Sequence, residues 1–461
     1  MPEMPMKKLS GIFKKTLVVL LSIIAVLTMA TVTWVDRTPY IELDFYQKMT
    51  SELKDVRQDF PKWTGGDTLL IGWSQVNLTP YGLVPLAGYG NRKPKEMTAV
   101  HDSIFVNTVI FSNGTMKAAL VTADLLIIHP EITNLLEEKL KTIDWQLSQV
   151  FLTATHSHSS MGGWAPGLVG NLIAGTYDQK YVQHIVDKMI LSIQIAEATL
   201  NFGAMGYSEL IVPSLVRNRL VGAEGLVDPS LKILGLKSGG QEGLHLVFSA
   251  HATCLGGTNH EMSRDYPGIL VDELINQTNL TYAAYSAGAV ASMGPNSNDL
   301  RQFEGSNYLG HELSAQIALL QQFGLPYQND LKLRSLRFPL FLRDPMVKIS
   351  QHLALRPWIF NWAFGEYAAE ISLLQLNDVL MIGLPCDFSG ELAMELYEYA
   401  ASKQLHLILT SFNGGYIGYV PKDKWYDLPK YETRSMSWYG FDNGAYFLEM
   451  IKMLIDEAHN D

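Results

Sequence analysis

Cysteine and positive charge are both scarce in this sequence, and each shortage argues against a class of protein. The 461 residues include only two cysteines, Cys254 and Cys386, which are too few for a disulfide scaffold and form no CxxC pair. Asp and Glu (46) outnumber Lys and Arg (35), which gives a formal net charge of -11. Because nucleic-acid binding needs clustered Lys and Arg, this balance argues against nucleic acid as a partner.

The run 16–35 carries no charged residue and follows a basic N-terminal segment, residues 1–15, that ends in Lys14 and Lys15. Twenty residues of helix span about 30 Å, the thickness of a bilayer core, so the run is predicted to be a transmembrane anchor. The basic segment is expected to stay in the cytoplasm, which places the remainder in the periplasm or outside the cell. The alternative is a cleaved signal peptide, which would make the protein secreted.

Residues 36–66 are predicted to be a stalk, because their apolar residues follow helical spacing only in part before Pro61 and a glycine pair interrupt it. From 67 to 461, short apolar strands alternate with helices. This order predicts one large catalytic domain of mixed α/β (α+β) class, with layered sheets and flanking helices. The predicted strands are 68–73, 104–111, 118–126, 150–155, 244–248, 282–285, 379–383 and 405–410, and the predicted helices are 132–143, 181–200 and 390–403.

A His-x-His motif stands at the exit of the predicted strand 150–155. In an extended backbone the side chains of His156 and His158 point to the same face. Two imidazoles placed in this way can share a metal, or one can bind the metal while the other contacts a substrate. The alternative interpretation is a hydrogen-bonded pair in a loop.

Two further candidate ligands follow other predicted strands. His251 comes after 244–248, where a single histidine is more often part of the core, and Asp387 comes after 379–383, where helix capping is an equal alternative. Two histidines, a carboxylate and an oxygen donor suit Zn²⁺ better than Ca²⁺ or Mg²⁺. Zinc lowers the pKa of a bound water and polarises a carbonyl, which is the chemistry of amide or ester hydrolysis.

The set of motifs resembles the neutral/alkaline, non-lysosomal ceramidase family over about residues 67–440. The segments that carry the resemblance are 155–159, 251–253, 385–388, 416–419 and 431–432. The resemblance implies one catalytic zinc, with four ligands: His156, His251, Asp387 and Tyr419.

The same resemblance implies three residues on the substrate side of the metal. His158 is expected to hydrogen-bond near the reacting carbonyl, and Arg219 and Tyr431 match the family's arginine and later tyrosine. With His158, they are expected to position and stabilise a tetrahedral oxyanion.

Two departures from the family pattern stand out. Asp387 replaces a glutamate, so the carboxylate is one methylene shorter and Glu391 is a fallback ligand. The family's serine nucleophile falls on Gly294 when the segments are aligned on Pro295, so Ser292 could act as nucleophile only after a shift of two residues. We also expect the protein to be a short form, without the immunoglobulin-like domain that ends the long ceramidases.

The expected function is zinc-dependent cleavage of the amide bond of ceramide, or a related N-acyl lipid, at a membrane surface. One alternative is a zinc hydrolase of another exported amide or ester. Another is a membrane-tethered binding protein without catalysis. Cys254 and Cys386 each lie beside a proposed ligand, which suggests a disulfide between them as a further hypothesis.

Overall fold

The computed structural model describes residues 6–58, 63–93, 95–321 and 324–459. The helices in these ranges are α1 (Met6–Thr31), α2 (Asp44–Gln58), α3 (Pro130–Leu140), α4 (Gly167–Ala174), α5 (Gln179–Ala198), α6 (Tyr266–Gln277), α7 (Gln302–Gln321), α8 (Pro357–Phe364), α9 (Gly390–Ser402) and α10 (Asn443–His459).

The strands of the same ranges are β1 (Val32–Trp34), β2 (Thr64–Gly66), β3 (Leu70–Asn77), β4 (Ala99–Val100), β5 (Phe105–Ser112), β6 (Lys117–Ala123), β7 (Val150–Ala154), β8 (Asn201–Ile211), β9 (Val216–Asn218), β10 (Ser230–Ser238), β11 (Gln241–Phe248), β12 (Glu261–Met262), β13 (Tyr282–Ala287), β14 (Met293–Pro295), β15 (Leu331–Leu340), β16 (Leu353–Leu355), β17 (Ala369–Leu376), β18 (Val379–Leu384), β19 (Asp387–Phe388), β20 (His406–Ser411) and β21 (Tyr419–Val420).

Two sheets organise the domain. The larger has the order β13-β11-β10-β8-β3-β5-β6-β7, and the smaller has the order β2-β15-β17-β18-β20. Most neighbours are antiparallel, but β6 and β7, β11 and β13, and β18 and β20 run parallel. A parallel pair needs a crossover, and α3, α6 and α9 supply the three crossovers.

The two sheets pack against each other and carry helices on their outer faces. Phe111 and Leu120 of the larger sheet share one buried cluster with Leu374 and Met381 of the smaller. Helices α3, α5, α6 and α7 cover the larger sheet, and α9 and α10 cover the smaller. The predicted mixed α/β class with layered sheets and flanking helices is confirmed.

The larger sheet curves until its two edge strands touch. Thr153 of β7 and Ser286 of β13 hydrogen-bond through their hydroxyl groups, although the two strands stand at opposite ends of the strand order. The exits of β7 and β11 therefore lie close together in space.

The N-terminal apolar helix ends earlier than predicted. Helix α1 stops at Thr31, and its stretch Phe13–Thr31 is long and apolar enough to cross a membrane. Residues Val32–Trp34, which the sequence placed inside the span 16–35, form β1 and pair antiparallel with Leu353–Leu355. The backbone groups of Val32–Trp34 therefore make their hydrogen bonds to a neighbouring strand instead of within a longer helix.

The described parts of the predicted stalk, residues 36–58 and 63–66, pack on the domain. On α2, Met49 is fully buried and Leu53 nearly so, in the cluster formed by the smaller sheet with α9 and α10. The hydroxyl groups of Tyr40 and Tyr46 both donate to Glu449 of α10. Burial of these apolar residues ties the segment to the domain surface.

The hypothesis of a disulfide is wrong, because both cysteines are free thiols. Cys386 is fully buried in the cluster of the smaller sheet, and Cys254 packs against a different cluster, beneath the larger sheet. Although each cysteine is close in sequence to a proposed ligand, the two sulfur atoms do not meet.

Candidate metal centre

Three histidines from two strand exits meet at one point. His156 and His158 leave β7 and His251 leaves β11, so the contact between the sheet edges brings them together. The Nε2 atom of His156 lies 2.8 Å from Nε2 of His251 and 3.1 Å from Nε2 of His158, and the last two are 3.0 Å apart. This geometry is suited to holding one metal ion.

The second ring nitrogen of each histidine faces a backbone carbonyl oxygen. A carbonyl only accepts, so Nδ1 must carry the proton and Nε2 is left with a bare lone pair. Three such lone pairs cannot hydrogen-bond to one another, but together they can bind a cation. The contacts between Nδ1 and the carbonyl oxygens fix the orientations of the rings. The contacts are His156 to Leu126 (2.6 Å), His158 to Gly88 (3.2 Å) and His251 to Val290 (3.4 Å).

His156 is held more tightly than its partners. Its backbone has φ of 60°, in the left-handed region that non-glycine residues seldom adopt. Its ring stacks on Phe412, with centroids 3.8 Å apart and planes 7° from parallel. The orientation of this ring is therefore fixed before any ligand binds.

All three imidazoles are neutral at physiological pH. Burial lowers the pKa of His156 to about 3, and it lowers the pKa of His158 and His251 well below the usual value. The nearby Arg219 guanidinium acts in the same direction. Neutral imidazole is the form that binds metals.

Asp387 adds a carboxylate beside the histidines. Its Oδ2 accepts a hydrogen bond of 2.7 Å from the Tyr416 hydroxyl. Its Oδ1 lies 3.8 Å from Nε2 of His156 and 3.9 Å from Nδ1 of His251. Within the described residues this buried Oδ1 has no hydrogen-bond partner, and burial raises the pKa of the carboxyl group to about 7. An unpartnered acceptor near the bare lone pair of His156 fits a bound cation.

Tyr419 lies opposite Asp387, because β19 and β21 pair in parallel with these two residues in register. The Arg219 Nη2 donates to the Tyr419 hydroxyl oxygen at 3.0 Å and lies 3.6 Å from Oε1 of Glu432. Burial disfavours the charge of Arg219, but these neighbours outweigh it and raise the pKa of the guanidinium. A partly buried positive charge is thus held beside the candidate metal ligands.

A cavity of about 710 Å³ opens above the histidines. The three histidines, Arg219, Tyr419 and Tyr431 all line it. Its remaining wall is largely apolar and aromatic, a composition typical of a site for a lipid or another apolar ligand. Prominent members of this wall are Trp164, Leu172, Phe360, Phe364, Tyr416 and Trp438.

Two sequence candidates are not brought into this cavity. Ser292 is 1% exposed, and its hydroxyl oxygen is 3.0 Å from that of Ser389. Glu391 accepts hydrogen bonds from Trp425 and from the backbone of Leu226. Ser292 does not line the cavity, which argues against it as a shifted nucleophile. Both carboxylate oxygens of Glu391 already accept hydrogen bonds, which argues against it as a ligand.

Sequence reasoning missed the residues that contact the candidate ligands and Arg219. Tyr416 holds Asp387, Phe412 stacks on His156, and Glu432 faces Arg219. Tyr416 and Glu432 stood inside segments already singled out, but no spacing rule separates a supporting residue from a ligand. Phe412 carried no signal, since an aromatic residue after a strand is usually core.

Comparison with known proteins agrees with this architecture. Residues 70–299 match the family model described as neutral/alkaline non-lysosomal ceramidase, N-terminal. A neutral ceramidase of Pseudomonas aeruginosa is 26% identical over 186 residues, which is 37% of this chain and 28% of that protein's length. The chain thus matches less than a third of that relative.

Solved structures share the fold. The crystal structure of neutral ceramidase from Pseudomonas aeruginosa gives a TM-score of 0.75 at 18% identity, covering 85% of this chain and 75% of that one. A ceramidase complexed with C2 gives a TM-score of 0.75 at 16% identity, covering 84% and 75%.

The chain belongs to the neutral/alkaline non-lysosomal ceramidase family. Within the described residues, it has a histidine cluster that could hold a metal ion.

Proposed function

We propose that this protein is a zinc-dependent amidohydrolase that cleaves ceramide, or a related N-acyl lipid, into a fatty acid and a sphingoid base. The observation that carries the proposal is the convergence of three bare Nε2 atoms within 3.1 Å of one another, beside the unpartnered Oδ1 of Asp387. Nitrogen ligands with one carboxylate are the donor set that catalytic zinc prefers. His156, His251, Asp387 and Tyr419 are the proposed ligands.

His158 is open to two roles. The family resemblance gives it a substrate-side role, but its Nε2 is as close to the other two histidines as they are to each other. We assign it to hydrogen-bonding near the reacting carbonyl, with coordination of the metal as the alternative. Metal content of a His158→Gln variant separates the roles, because only a ligand is needed to retain the ion.

Zinc held at this centre supplies an activated water and a polarised carbonyl. The protein's own groups supply the rest. Arg219 is partly buried and charged, so it stabilises negative charge that develops on the carbonyl oxygen without reorganisation. Tyr431 lines the cavity beside Tyr419, with ring centroids 6.0 Å apart, and is positioned to donate a further hydrogen bond.

The size and lining of the cavity support a lipid substrate. About 710 Å³ bounded by aromatic and aliphatic side chains accommodates an acyl chain, while the polar groups gather at the histidine end. The amide bond of such a lipid would lie where the apolar wall meets the polar end of the cavity, facing the metal centre. The hydrocarbon chains of the lipid would lie along the apolar wall.

The N-terminal helix supports a location at a membrane. Phe13–Thr31 is apolar and none of it is buried against the domain, so its only apolar environment would be a bilayer. We propose a single-pass anchor with residues 1–15 in the cytoplasm and the catalytic domain outside.

The direct test uses the full-length protein in detergent and in bilayers, with a fluorescent long-chain ceramide and simple esters as parallel substrates. Release of the fatty acid from ceramide, dependent on zinc, supports the proposal. Ester cleavage without amide cleavage would favour a hydrolase of another exported substrate, which Gly294 at the family serine position keeps open. Zinc-free, inactive protein would favour a binding protein.

Replacement of Ser292 is expected to leave catalysis almost unchanged. Because its hydroxyl faces Ser389 and not the cavity, Ser292→Ala should alter kcat/KM by less than about threefold. The measurement is steady-state ceramide hydrolysis, with Ser389→Ala as the matched control for loss of the same hydrogen bond. A drop of three orders of magnitude in Ser292→Ala alone would restore a serine nucleophile.

Zinc affinity is expected to rise with pH up to about 7. Without metal, the folded chain keeps a proton on Asp387 up to about pH 7, whereas the unfolded chain releases it near pH 4. This carboxyl group therefore lowers the stability of the metal-free fold as pH rises from about 4 to about 7. Zinc must displace the proton, so the apparent affinity should gain roughly tenfold per pH unit below about 7 and then level off.

The measurement is competition with a calibrated chelator between pH 5.5 and pH 8. The histidines stay neutral across this range and add no slope. Asp387→Asn, which keeps the shape but cannot ionise, should bind zinc more weakly and with a shallow pH dependence. An unchanged slope in Asp387→Asn would assign the titration to another group.

A further inference from the structure

We infer that the surface formed by α4 and α8, next to the outer end of the anchor helix, lies on the lipid bilayer and opens the cavity towards it. A lipid substrate would then enter sideways from the membrane without crossing water. The inference rests on the proposed function for the presence of an anchor and a lipid substrate, and it adds the orientation of the domain.

The end of the anchor is capped by the segment that begins α8. The last four carbonyl groups of a helix have no partner within it. Here the side chain of Arg356 donates to the Met29 carbonyl oxygen, Trp358 Nε1 donates to that of Ala30, and the Arg356 backbone N–H donates to that of Thr31. These bonds fix α8 at the point where the anchor ends.

The chain then turns directly into the domain. Val32–Trp34 pairs with Leu353–Leu355, and the backbone N–H of Val35 donates to the carbonyl oxygen of His352. Val35 is buried with Tyr426 and Ala354 in a small core. No flexible linker separates anchor and domain, so the direction of the anchor sets which face of the domain meets the membrane.

The face next to the anchor is apolar and exposed. Trp358 and Trp362 of α8 are 55% and 69% exposed, and Leu168 and Leu172 of α4 are 59% and 54% exposed. Trp34, just beyond the anchor, is 74% exposed. Tryptophans at this level are typical of the interface between a bilayer and water, and large contiguous apolar surfaces mark interaction sites.

The same two helices form part of the cavity wall. Their inner side chains, Phe360 and Phe364 of α8 and Val169 of α4, line it. Leu172 both lines the cavity and is exposed, so it marks the mouth on the apolar face. Lipid chains leaving a bilayer beneath this face would meet apolar side chains along the whole route.

The bilayer is the occupant that the structure favours over a protein partner. The proposed anchor places the exposed body of α1 in lipid, and the face is joined to its outer end by the Trp358 hydrogen bond. Because the anchor turns this face towards the bilayer, a protein partner could bind the face only by displacing the bilayer from it.

The test places an environment-sensitive fluorophore on this face of the full-length protein in lipid nanodiscs. Trp362→Cys carries the probe, and Phe202→Cys on β8, a residue 74% exposed, is the matched control. Native protein labelled in parallel corrects for Cys254. The probe at 362 should be quenched by doxyl-labelled lipid and protected from aqueous iodide, and the probe at 202 should show the reverse.

Two results would overturn the inference. A probe at 362 that iodide reaches as freely as the probe at 202 would place the face in water. Protection from iodide without quenching by lipid would place a protein, such as a second copy, on the face. Both results are read without catalysis, so they stand whether or not the protein hydrolyses ceramide.

A second variant links the face to substrate entry. Leu168→Ser with Trp362→Ser should lower hydrolysis of a long-chain ceramide in vesicles by about tenfold. Hydrolysis of a short-chain amide dissolved as monomer should stay the same, because neither residue lines the cavity. Equal losses on both substrates would contradict lateral entry. No activity on either substrate in the unaltered protein would count against the proposed function instead.

Discussion

His251→Ala is expected to abolish both zinc content and amide hydrolysis. The substitution removes one of three converging Nε2 atoms and leaves a void beside the carboxylate of Asp387. Loss of the metal removes water activation and carbonyl polarisation together, so kcat/KM should fall by at least about a thousandfold. The measurement is metal analysis of the purified variant beside its ceramide hydrolysis.

The matched control is His184→Ala. His184 also directs a ring nitrogen at a backbone carbonyl, that of Leu78 at 3.0 Å, but it lies outside the metal centre. The His184→Ala variant should keep full zinc content and activity. Undiminished hydrolysis by a metal-free His251→Ala protein would refute the zinc mechanism.

Arg219→Met is expected to lower kcat by about 10² to 10³ while zinc remains bound. Methionine keeps most of the side-chain volume but removes the charge that lines the cavity next to Tyr419. A loss confined to kcat, with little change in KM, indicates an interaction made mainly in the transition state. Arg219→Lys, which keeps the charge without the planar fork, should recover part of the rate.

The control for this variant is Arg217→Met, two residues earlier on β9. Arg217 is exposed and its Nε donates to the Pro295 carbonyl oxygen, away from the cavity. Its replacement should leave kcat unchanged. Loss of zinc in Arg219→Met would instead give Arg219 a role in holding the ligands, through its bond to Tyr419.

Local sequence pattern was enough to predict the layered fold, and it singled out three residues that the structure brings close together. The motifs that carry His156, His251 and Asp387 each follow a short apolar strand, and strand exits commonly carry function. Their meeting could not be predicted from spacing, because it depends on the contact between Thr153 and Ser286, at opposite edges of a curved sheet. Such a contact is set by the curvature of the whole sheet.

Tertiary packing also overrode the local pattern near the N-terminus. The apolar run to Val35 has the composition of continuous helix, yet Val32–Trp34 becomes a strand because an unpaired edge at Leu353–Leu355 is available. The amphipathic spacing around Met49 looked incomplete as a helix until the smaller sheet supplied a surface to bury it. Neither the strand Leu353–Leu355 nor the surface of the smaller sheet can be inferred from the N-terminal sequence alone.

The left-handed backbone conformation of His156 lowers the thermal stability of the fold in order to position its side chain. A residue of this type at φ of 60° costs about 1 kcal/mol or more, which the surrounding structure must offset. Asparagine or glycine would adopt the same conformation with less strain. Directed evolution for heat resistance alone would therefore tend to replace this histidine early, so such a screen would also need selection for the proposed hydrolysis in every round.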